Sequence, residues 1–483
     1  HWFFHIICKN YEFLVQWSSP IGMIFFLLPE VNEMNNKVLL GFLLGVSAAA
    51  TLMLSISPAR ELGINRVIAA EDGESSLAWS PTKRYPTRDV YFPGMEDLHP
   101  DEMRVIACGT GMPIPRLKQA AACFLVELGN GDKFIFDMGE GSYERLSALE
   151  MPLDQLDKVF LGHLHLDHAG DFPAFYATGP VNNRLTPVRL FGPSGVTESW
   201  GTKAWANNML EMWQWELASR GGVVDSRGLQ LEVNEFDWKK INNVIYDENG
   251  VQVRTIPAIH ADQSVSFILE WNGLSFAYSS DTVPNIWWAE HTKGVDLSIH
   301  ECFPPPALFA SKLGFTPAEA VLVGTQGHTT AAAFGKIMSL TKPRQAVCYH
   351  FQNDFDVQPA ILEAVRATYD GPLDLATDFM VWNVTKDEIR TRMAVVNDES
   401  FAAPAQREKI PPQDPYQWTG FSLSGMEPES SKVANDIIDA FNKANGSNAE
   451  ASLTSFPFLS KEQQEQALKK ADEAHDAFMK RQD

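Results

Sequence analysis

The sequence predicts a mixed α/β sandwich that gathers a metal site along one edge, and three observations carry the prediction. Apolar runs of strand length alternate with helical patterns in two successive halves of residues 101–398. His163-Leu164-His165-Leu166-Asp167-His168 sets four potential metal ligands directly after the apolar run Val159-Phe160-Leu161. His260, Asp281 and His350 each stand where a further predicted strand meets its loop.

The first half opens with a strand at Met103–Cys108, which runs into Gly109-Thr110-Gly111, a turn that suits small residues. Cys123–Leu128 and Phe134–Asp137 are the next strands, separated by the turn signal Gly129-Asn130-Gly131-Asp132. A helix from about Ser142 and the strand at Val159 complete a βββαβ unit, and Leu190-Phe191-Gly192-Pro193 reads as another strand end. A helical insertion, residues 197–220, carries Trp200, Trp205, Trp213 and Trp215 with Met209 and Met212. Such a stripe is read first as core, with substrate lining or partner binding as the functional alternative.

Strands resume at Val251–Ile256, Ser264–Trp271 and Leu274–Tyr278, the last two joined by the hairpin turn Asn272-Gly273. A helix over Ala331–Leu340 precedes the strand Gln345–Tyr349, and Met380–Val384 with Ile389–Val396 form a closing hairpin. Before this domain, residues 71–100 read as a leader wrapping its surface. After it, residues 399–483 are a mobile Pro-rich and charged tail, in which Val433, Ile437 and Phe441 share one helical face and Ala467, Ala471 and Ala474 another.

Three imidazoles and a carboxylate so close together are expensive to satisfy by packing, because each buried polar group needs its own partner. A metal ion satisfies them together. His163 and His165 are two apart and project to one side of an extended segment, while Asp167 and His168 follow on a turn and can serve a second ion. His260, Asp281 and His350 repeat the placement of a ligand at a strand end. His300 is read as structural.

Composition narrows the function. A formal net charge of -22 argues against affinity built on phosphate neutralisation. Residues 1–33 read as translated upstream sequence outside the fold. In residues 34–70, a short polar and basic start, the uncharged apolar run Val38–Ser57 and the small residues Ala69-Ala70 read as an export signal, with an uncleaved membrane anchor as the competitor. No CxxC pair exists, which excludes a zinc knuckle. Cys108 and Cys123 can pair if their strands are neighbours; four buried free thiols are the expectation.

In order, Gly109-Thr110-Gly111, Phe136-Asp137-Met138-Gly139-Glu140-Gly141, His163–His168, Ile259-His260, Ser280-Asp281-Thr282, Ile299-His300-Glu301, Gly327-His328-Thr329-Thr330 and Tyr349-His350-Phe351 resemble the motifs of metallo-β-lactamase-fold hydrolases of the ribonuclease Z type. The resemblance covers residues 103–395. It implies a four-layer αββα sandwich with two zinc ions, for which manganese or iron(II) can substitute. His163, His165 and His260 would hold the first ion, Asp167, His168 and His350 the second, and Asp281 would bridge both. Asp137 would orient a ligand imidazole from behind. Catalysis would rest on Asp167 and on the dyad of Glu301 and His328, which donates a proton to the leaving oxygen. Ile299–Phe303 and Gly324–Lys336 are also similar to exported hydrolases of this fold associated with guanitoxin biosynthesis.

Two departures matter. Pro115-Arg116-Leu117-Lys118-Gln119-Ala120 replaces the basic loop of tRNA-maturing enzymes, and only about twenty residues separate His260 from Asp281, too few for their tRNA-grasping arm. In their place Trp287-Trp288 and Phe303-Pro304-Pro305-Pro306 offer apolar walls for a pocket. The expectation is therefore a periplasmic or secreted dizinc hydrolase of a small ester, lactone, sulfate ester or phosphodiester. A ribonuclease Z-like phosphodiesterase acting on RNA and a non-catalytic metal-binding protein are the alternatives. The expected partner is a small-molecule substrate, not nucleic acid. Membrane contact would come only through an uncleaved N-terminal segment, and a homodimer is compatible with the chain.

Overall fold

The computed structural model describes residues 90–410 apart from residue 222, three strands near the N-terminus, and part of the region after 410, chiefly residues 428–447. The proposed export signal at 34–70 and most of the leader lie outside the described residues, as do Ala467, Ala471 and Ala474. Residues 1–78 form a unit of their own, in which β1 (Phe3–Lys9), β2 (Glu12–Ser19) and β3 (Gly22–Leu27) pair with one another as an antiparallel sheet. Among the described residues no helix is long and apolar enough to cross a membrane.

The main unit holds two larger sheets. The first contains β4 (Val90–Tyr91), β5 (Met103–Gly109), β6 (Cys123–Leu128), β7 (Lys133–Phe136), β8 (Lys158–Phe160), β9 (Val188–Pro193) and β10 (Leu231–Phe236). The second contains β11 (Asn243–Glu248), β12 (Val251–Pro257), β13 (Val265–Trp271), β14 (Leu274–Tyr278), β15 (Leu297–Glu301), β16 (Gln345–Tyr349) and β17 (Leu373–Leu375). The hairpin β18 (Met380–Val384) and β19 (Ile389–Ala394) returns to the first sheet, giving the orders β10-β9-β8-β7-β6-β5-β18-β19-β4 and β11-β12-β13-β14-β15-β16-β17. Leader residues 90–91 thus supply an edge strand, whose Tyr91 is buried under the Arg104 and Arg392 guanidinium groups.

Strand alternation explains the layers. Val105, Phe124, Val126, Phe134 and Phe136 of the first sheet face Val253, Phe267, Leu269, Phe276 and Val347 of the second in one central core. The opposite faces are covered by helices. On the first sheet these are α1 (Ser142–Ala148), α2 (Leu166–Ala169), α3 (Phe172–Thr178), α4 (Thr202–Met212) and α5 (Gln214–Ser219). On the second they are α6 (Ile286–His291), α9 (Ala331–Thr341) and α10 (Val357–Arg366), while α7 (Pro306–Leu313) and α8 (Pro317–Leu322) form a hairpin over Phe303 and Met112. The architecture is the αββα sandwich that the resemblance implies.

The cysteines correct the sequence reading. Cys108 pairs with Cys123 across neighbouring β5 and β6, and Cys302 pairs with Cys348, so these four are not free thiols. The second pair joins the ends of parallel β15 and β16: His300 lies opposite Cys348, and Cys302, two residues further along the same face, reaches Cys348 diagonally with Cα atoms 5.3 Å apart.

Candidate active site

The ligand-bearing segments meet at one edge of the two sheets because each leaves its strand there. His163 follows β8, His260 follows β12, Asp281 follows β14, and His350 follows β16. Three residues at the edge hold left-handed backbone without being glycine: Asp137 (φ 58°), Ser280 (φ 49°) and His350 (φ 69°). Such strain persists only where the surroundings over-determine it. Close approach fixes the rest: a Cβ on Gly162 would lie 2.3 Å from Ser280 Oγ, so the residue before His163 must be small.

Two donor sets result. In the first, His163 Nε2 and His260 Nε2 lie 3.1 and 3.2 Å from His165 Nδ1. In the second, His168 Nε2 is 3.2 Å from Asp281 Oδ1 and 3.5 Å from Asp167 Oδ2, and His350 Nε2 is 3.2 Å from Asp167 Oδ2 and 3.3 Å from Asp281 Oδ2. Asp281 also reaches the first set, with Oδ2 3.8 Å from His260 Nε2.

These separations suit bound ions. Ligand atoms about 2.0–2.1 Å from a tetrahedral ion sit roughly 3.3 Å from one another. On three of the rings the converging nitrogen is the one left over when the other is spent. His168 Nδ1–H donates to Asp137 Oδ2 (2.7 Å), His260 Nδ1–H to the Gly327 carbonyl (2.6 Å), and His163 Nδ1–H to Ser280 Oγ (3.2 Å). His168 Nε2 and Asp281 Oδ1 are buried with no hydrogen-bond partner. An ion would supply what they lack.

The electrostatics agree. Burial, aided by neighbouring imidazoles, pushes His163 and His165 below the usual histidine range, so both are neutral donors. Burial alone would raise Asp167 and Asp281, but His168 and His350 beside them hold both carboxyls well below the carboxylate range. Burial also opposes charge on His168, yet Asp281, Asp167 and Asp137 raise it well above its ordinary value, the signature of a field that calls for a cation. The donor set thus fits two divalent ions.

Asp137 is the hub behind this arrangement. Besides His168 it accepts from Gly162 N (2.7 Å), Tyr278 Oη (2.7 Å) and Ser280 Oγ (2.9 Å). Sequence reasoning anticipated Asp137 but missed Tyr278 and Ser280. Tyr278 occupies an inward strand position that reads as plain core, and Ser280 is marked only by its place next to Asp281.

Beside the ligands, His328 Nδ1 lies 3.0 Å from Glu301 Oε2, while Glu301 Oε1 accepts from Thr282 N at 2.5 Å. Phe303 stacks on the His328 ring at 4.6 Å. Glu301 is wholly buried, and burial with nearby Asp281 raises it well above the carboxylate range, whereas burial lowers His328.

The chain is 30% identical over 189 residues to ribonuclease Z of Mycolicibacterium gilvum, a match that covers 38% of this chain and 62% of that one. It is 26% identical over 313 residues to ribonuclease Z of Methanosarcina mazei, covering 58% and 97%. A family profile described as anti-Pycsar protein Apyc1 matches residues 103–305. Over these spans the chain is similar to ribonuclease Z proteins, and its two-sheet αββα architecture is that of the metallo-β-lactamase fold. Among solved structures, the metallo-β-lactamase fold protein YhfI from Bacillus subtilis aligns with TM-score 0.44 and 16% identity over 59% of this chain and 100% of its own.

The expected apolar pocket walls need revision. Trp288 is fully buried on the outer face of the second sheet, edge-on to His300 at 4.8 Å, and Trp287 packs against the same cluster. Neither lines the metal centre. The helix α6 starts at the Asn285 cap, whose Oδ1 accepts from Trp288 N (2.8 Å), and its rotation turns Trp288 inward. His300 is structural as expected: buried, with burial lowering it to about 4, and donating from Nδ1 to the Glu301 carbonyl. Of the three expected wall residues only Phe303 touches the site. Exposed apolar side chains next to ligands in the chain are instead Leu166, before Asp167, and Ile259, before His260. In the departing loop, Arg116 is tied to Asp354 at 2.5 Å.

Proposed function

We propose that this protein is a two-metal phosphodiesterase. The observation that carries the reading is the shared Asp281: it faces both donor sets and also lies 3.8 Å from His328, so the ion sites and a proton donor converge on one point. The ribonuclease Z relatives favour phosphodiester chemistry over the carboxylic ester, lactone and sulfate ester chemistry that the sequence also allowed.

Two divalent ions in these sets supply Lewis-acid polarisation of a phosphoryl oxygen and acidify water at neutral pH. The chain's own residues do the rest. Asp137 fixes the His168 ring, and Tyr278 and Ser280 fix Asp137. Glu301 and His328 share one transferable proton: written as carboxylic acid with imidazole or as carboxylate with imidazolium, the pair leaves an N–H at His328 Nε2 to protonate the departing oxygen. Thr282 N and the stacked Phe303 hold that pair in register.

The test is turnover by the metal-loaded chain of bis(p-nitrophenyl) phosphate and single-stranded RNA against p-nitrophenyl acetate, p-nitrophenyl sulfate and a lactone. Phosphodiester cleavage well above the other classes is expected. Ester, sulfate or lactone turnover without phosphodiester cleavage overturns the proposal.

We infer also that the enzyme works outside the reducing cytoplasm. Two buried disulfides support this, because such bonds persist in oxidising compartments. Quantitative thiol alkylation in intact cells checks it; four reactive thiols after denaturation would count against export.

A further inference from the structure

The α4–α5 insertion and the tail each leave an apolar face uncovered. Trp213 N bonds to the Met209 carbonyl and Leu217 N to the Trp213 carbonyl, so the helical path runs through the α4–α5 junction. Met212 and Trp215, three apart there, share a side and are 67% and 75% exposed, with Trp213 beside them at 37%. The insertion is held down through Met209, which is buried, and Trp205, which packs 5.7 Å from Phe172. An aromatic cluster left open in this way marks an interaction surface.

The tail is anchored on the segment that follows the insertion. Ala402 is buried in the outer core, Arg227 Nη2 donates to the Glu408 carbonyl (2.8 Å), and Ile410 N donates to Asp225 Oδ2 (2.9 Å). Asp225 lies shortly beyond the end of α5. Residues 411–427 then connect to α11 (Pro428–Asn445), where Val433, Ile437 and Phe441 recur every four residues and are 57%, 63% and 54% exposed. A connection of that length reaches on the order of 55 Å at most. A tether of this kind holds its ends at roughly millimolar effective concentration.

We propose that α11 docks through Val433, Ile437 and Phe441 on the Met212–Trp213–Trp215 face of its own chain. The two surfaces are complementary in kind, an apolar helical stripe and an aromatic cluster, and the connection that leaves the anchored run 402–410 is long enough to bring one to the other. An apolar helix face needs such a partner, since packing rather than propensity supplies most helix stability in proteins.

Hydrogen–deuterium exchange on the full chain tests this, comparing wild type with Ile437→Asp/Phe441→Asp and with Trp215→Ala. In wild type, amides of 430–444 and of 209–217 are expected to exchange about tenfold or more slowly than in the double variant, with Trp215→Ala exposing 430–444 likewise. Identical exchange of α11 in all three proteins overturns docking, as does a loss confined to 430–444. Protection that falls on dilution identifies a second copy as the occupant and overturns docking within one chain. Protection that emerges only with vesicles of anionic phospholipid overturns it in favour of a lipid surface.

Discussion

His168 and His350 of the carboxylate-bearing donor set are wholly buried, whereas in the three-imidazole set His165 is exposed and His260 half-buried. The buried set is held from behind by Asp137 and its four hydrogen bonds, and by the Cys302–Cys348 bridge one residue beyond Glu301 and two before His350. The other set is anchored at buried His163, whose Nδ1–H donates to Ser280 Oγ, while its outer members are held by loops. His260 leans on the Gly327 carbonyl, and its loop is clasped through Gln263, which takes a hydrogen bond from Val196 N and gives one to the Trp200 carbonyl. One side of the centre is therefore built into the sandwich, while the other depends on surface segments that can adjust.

The division fails first if His328 is a ligand, because Asp281, Glu301, His328 and His350 also lie close enough to hold an ion. His328→Ala should lower turnover by roughly a hundred- to ten-thousandfold while two equivalents of metal remain bound. Elemental analysis of the purified variant decides: a drop to one equivalent would make His328 part of the buried set. The bridge between β15 and β16 comes next. Cys302→Ser/Cys348→Ser should cost about 2–4 kcal/mol of unfolding free energy. It should weaken metal at the buried set and spare the other. Equal weakening at both, measured by chelator competition, would show that the bridge braces the whole edge.

Much of this centre was legible in the sequence, for a physical reason. Histidines and aspartates at the ends of apolar strands need partners, and that alone pointed to His163, His165, Asp167, His168, His260, Asp281 and His350 as one group at a sheet edge; Asp137, Glu301 and His328 were reached only through the resemblance to metallo-β-lactamase-fold hydrolases. The disulfides were not legible, because pairing Cys302 with Cys348 requires knowing that β15 and β16 are adjacent and in which register. Trp287-Trp288 misled because two adjacent aromatics point wherever the helix rotates them, and the Asn285 cap sets that rotation. The strands β10 and β11 escaped notice since edge strands carry polar residues at half-buried positions, as Leu231–Phe236 does. Pro304-Pro305-Pro306 was expected to wall a pocket with Phe303, yet proline suits the first turn of a helix, and α7 starts at Pro306.

Asp137→Asn separates the two halves more finely. It keeps the shape of the hub but weakens its hold on His168 Nδ1–H, and should lower affinity for the second ion by about 10- to 100-fold. Gln263→Ala should act on the first ion alone. Stepwise metal release, followed by competition with a chromogenic chelator, checks both variants. The same release order in each would mean that the halves are coupled through Asp281 and do not titrate with metal independently.

The smallest expected effect concerns the back of the buried half. Asp171 N donates to the Met138 carbonyl and Met138 N to the His168 carbonyl, so this residue braces the turn behind His168. Its Oδ2 accepts from Tyr143 N (2.9 Å), but burial outweighs such bonds and raises the carboxyl to about 6. Because the folded value lies above the unfolded one, folding takes up a proton between roughly pH 6 and pH 4, and this group's contribution to stability improves as pH falls through that window. Above it the ionised carboxylate is a cost. Asp171→Asn, which keeps an acceptor for Tyr143 N without charge, should therefore stabilise the protein at pH 8 by about 1 kcal/mol once solvent screening is allowed for. The gain should vanish near pH 4. Denaturant unfolding of both proteins at the two pH values gives the difference directly, and a gain independent of pH would show that Asp171 is strained by packing and not by its charge.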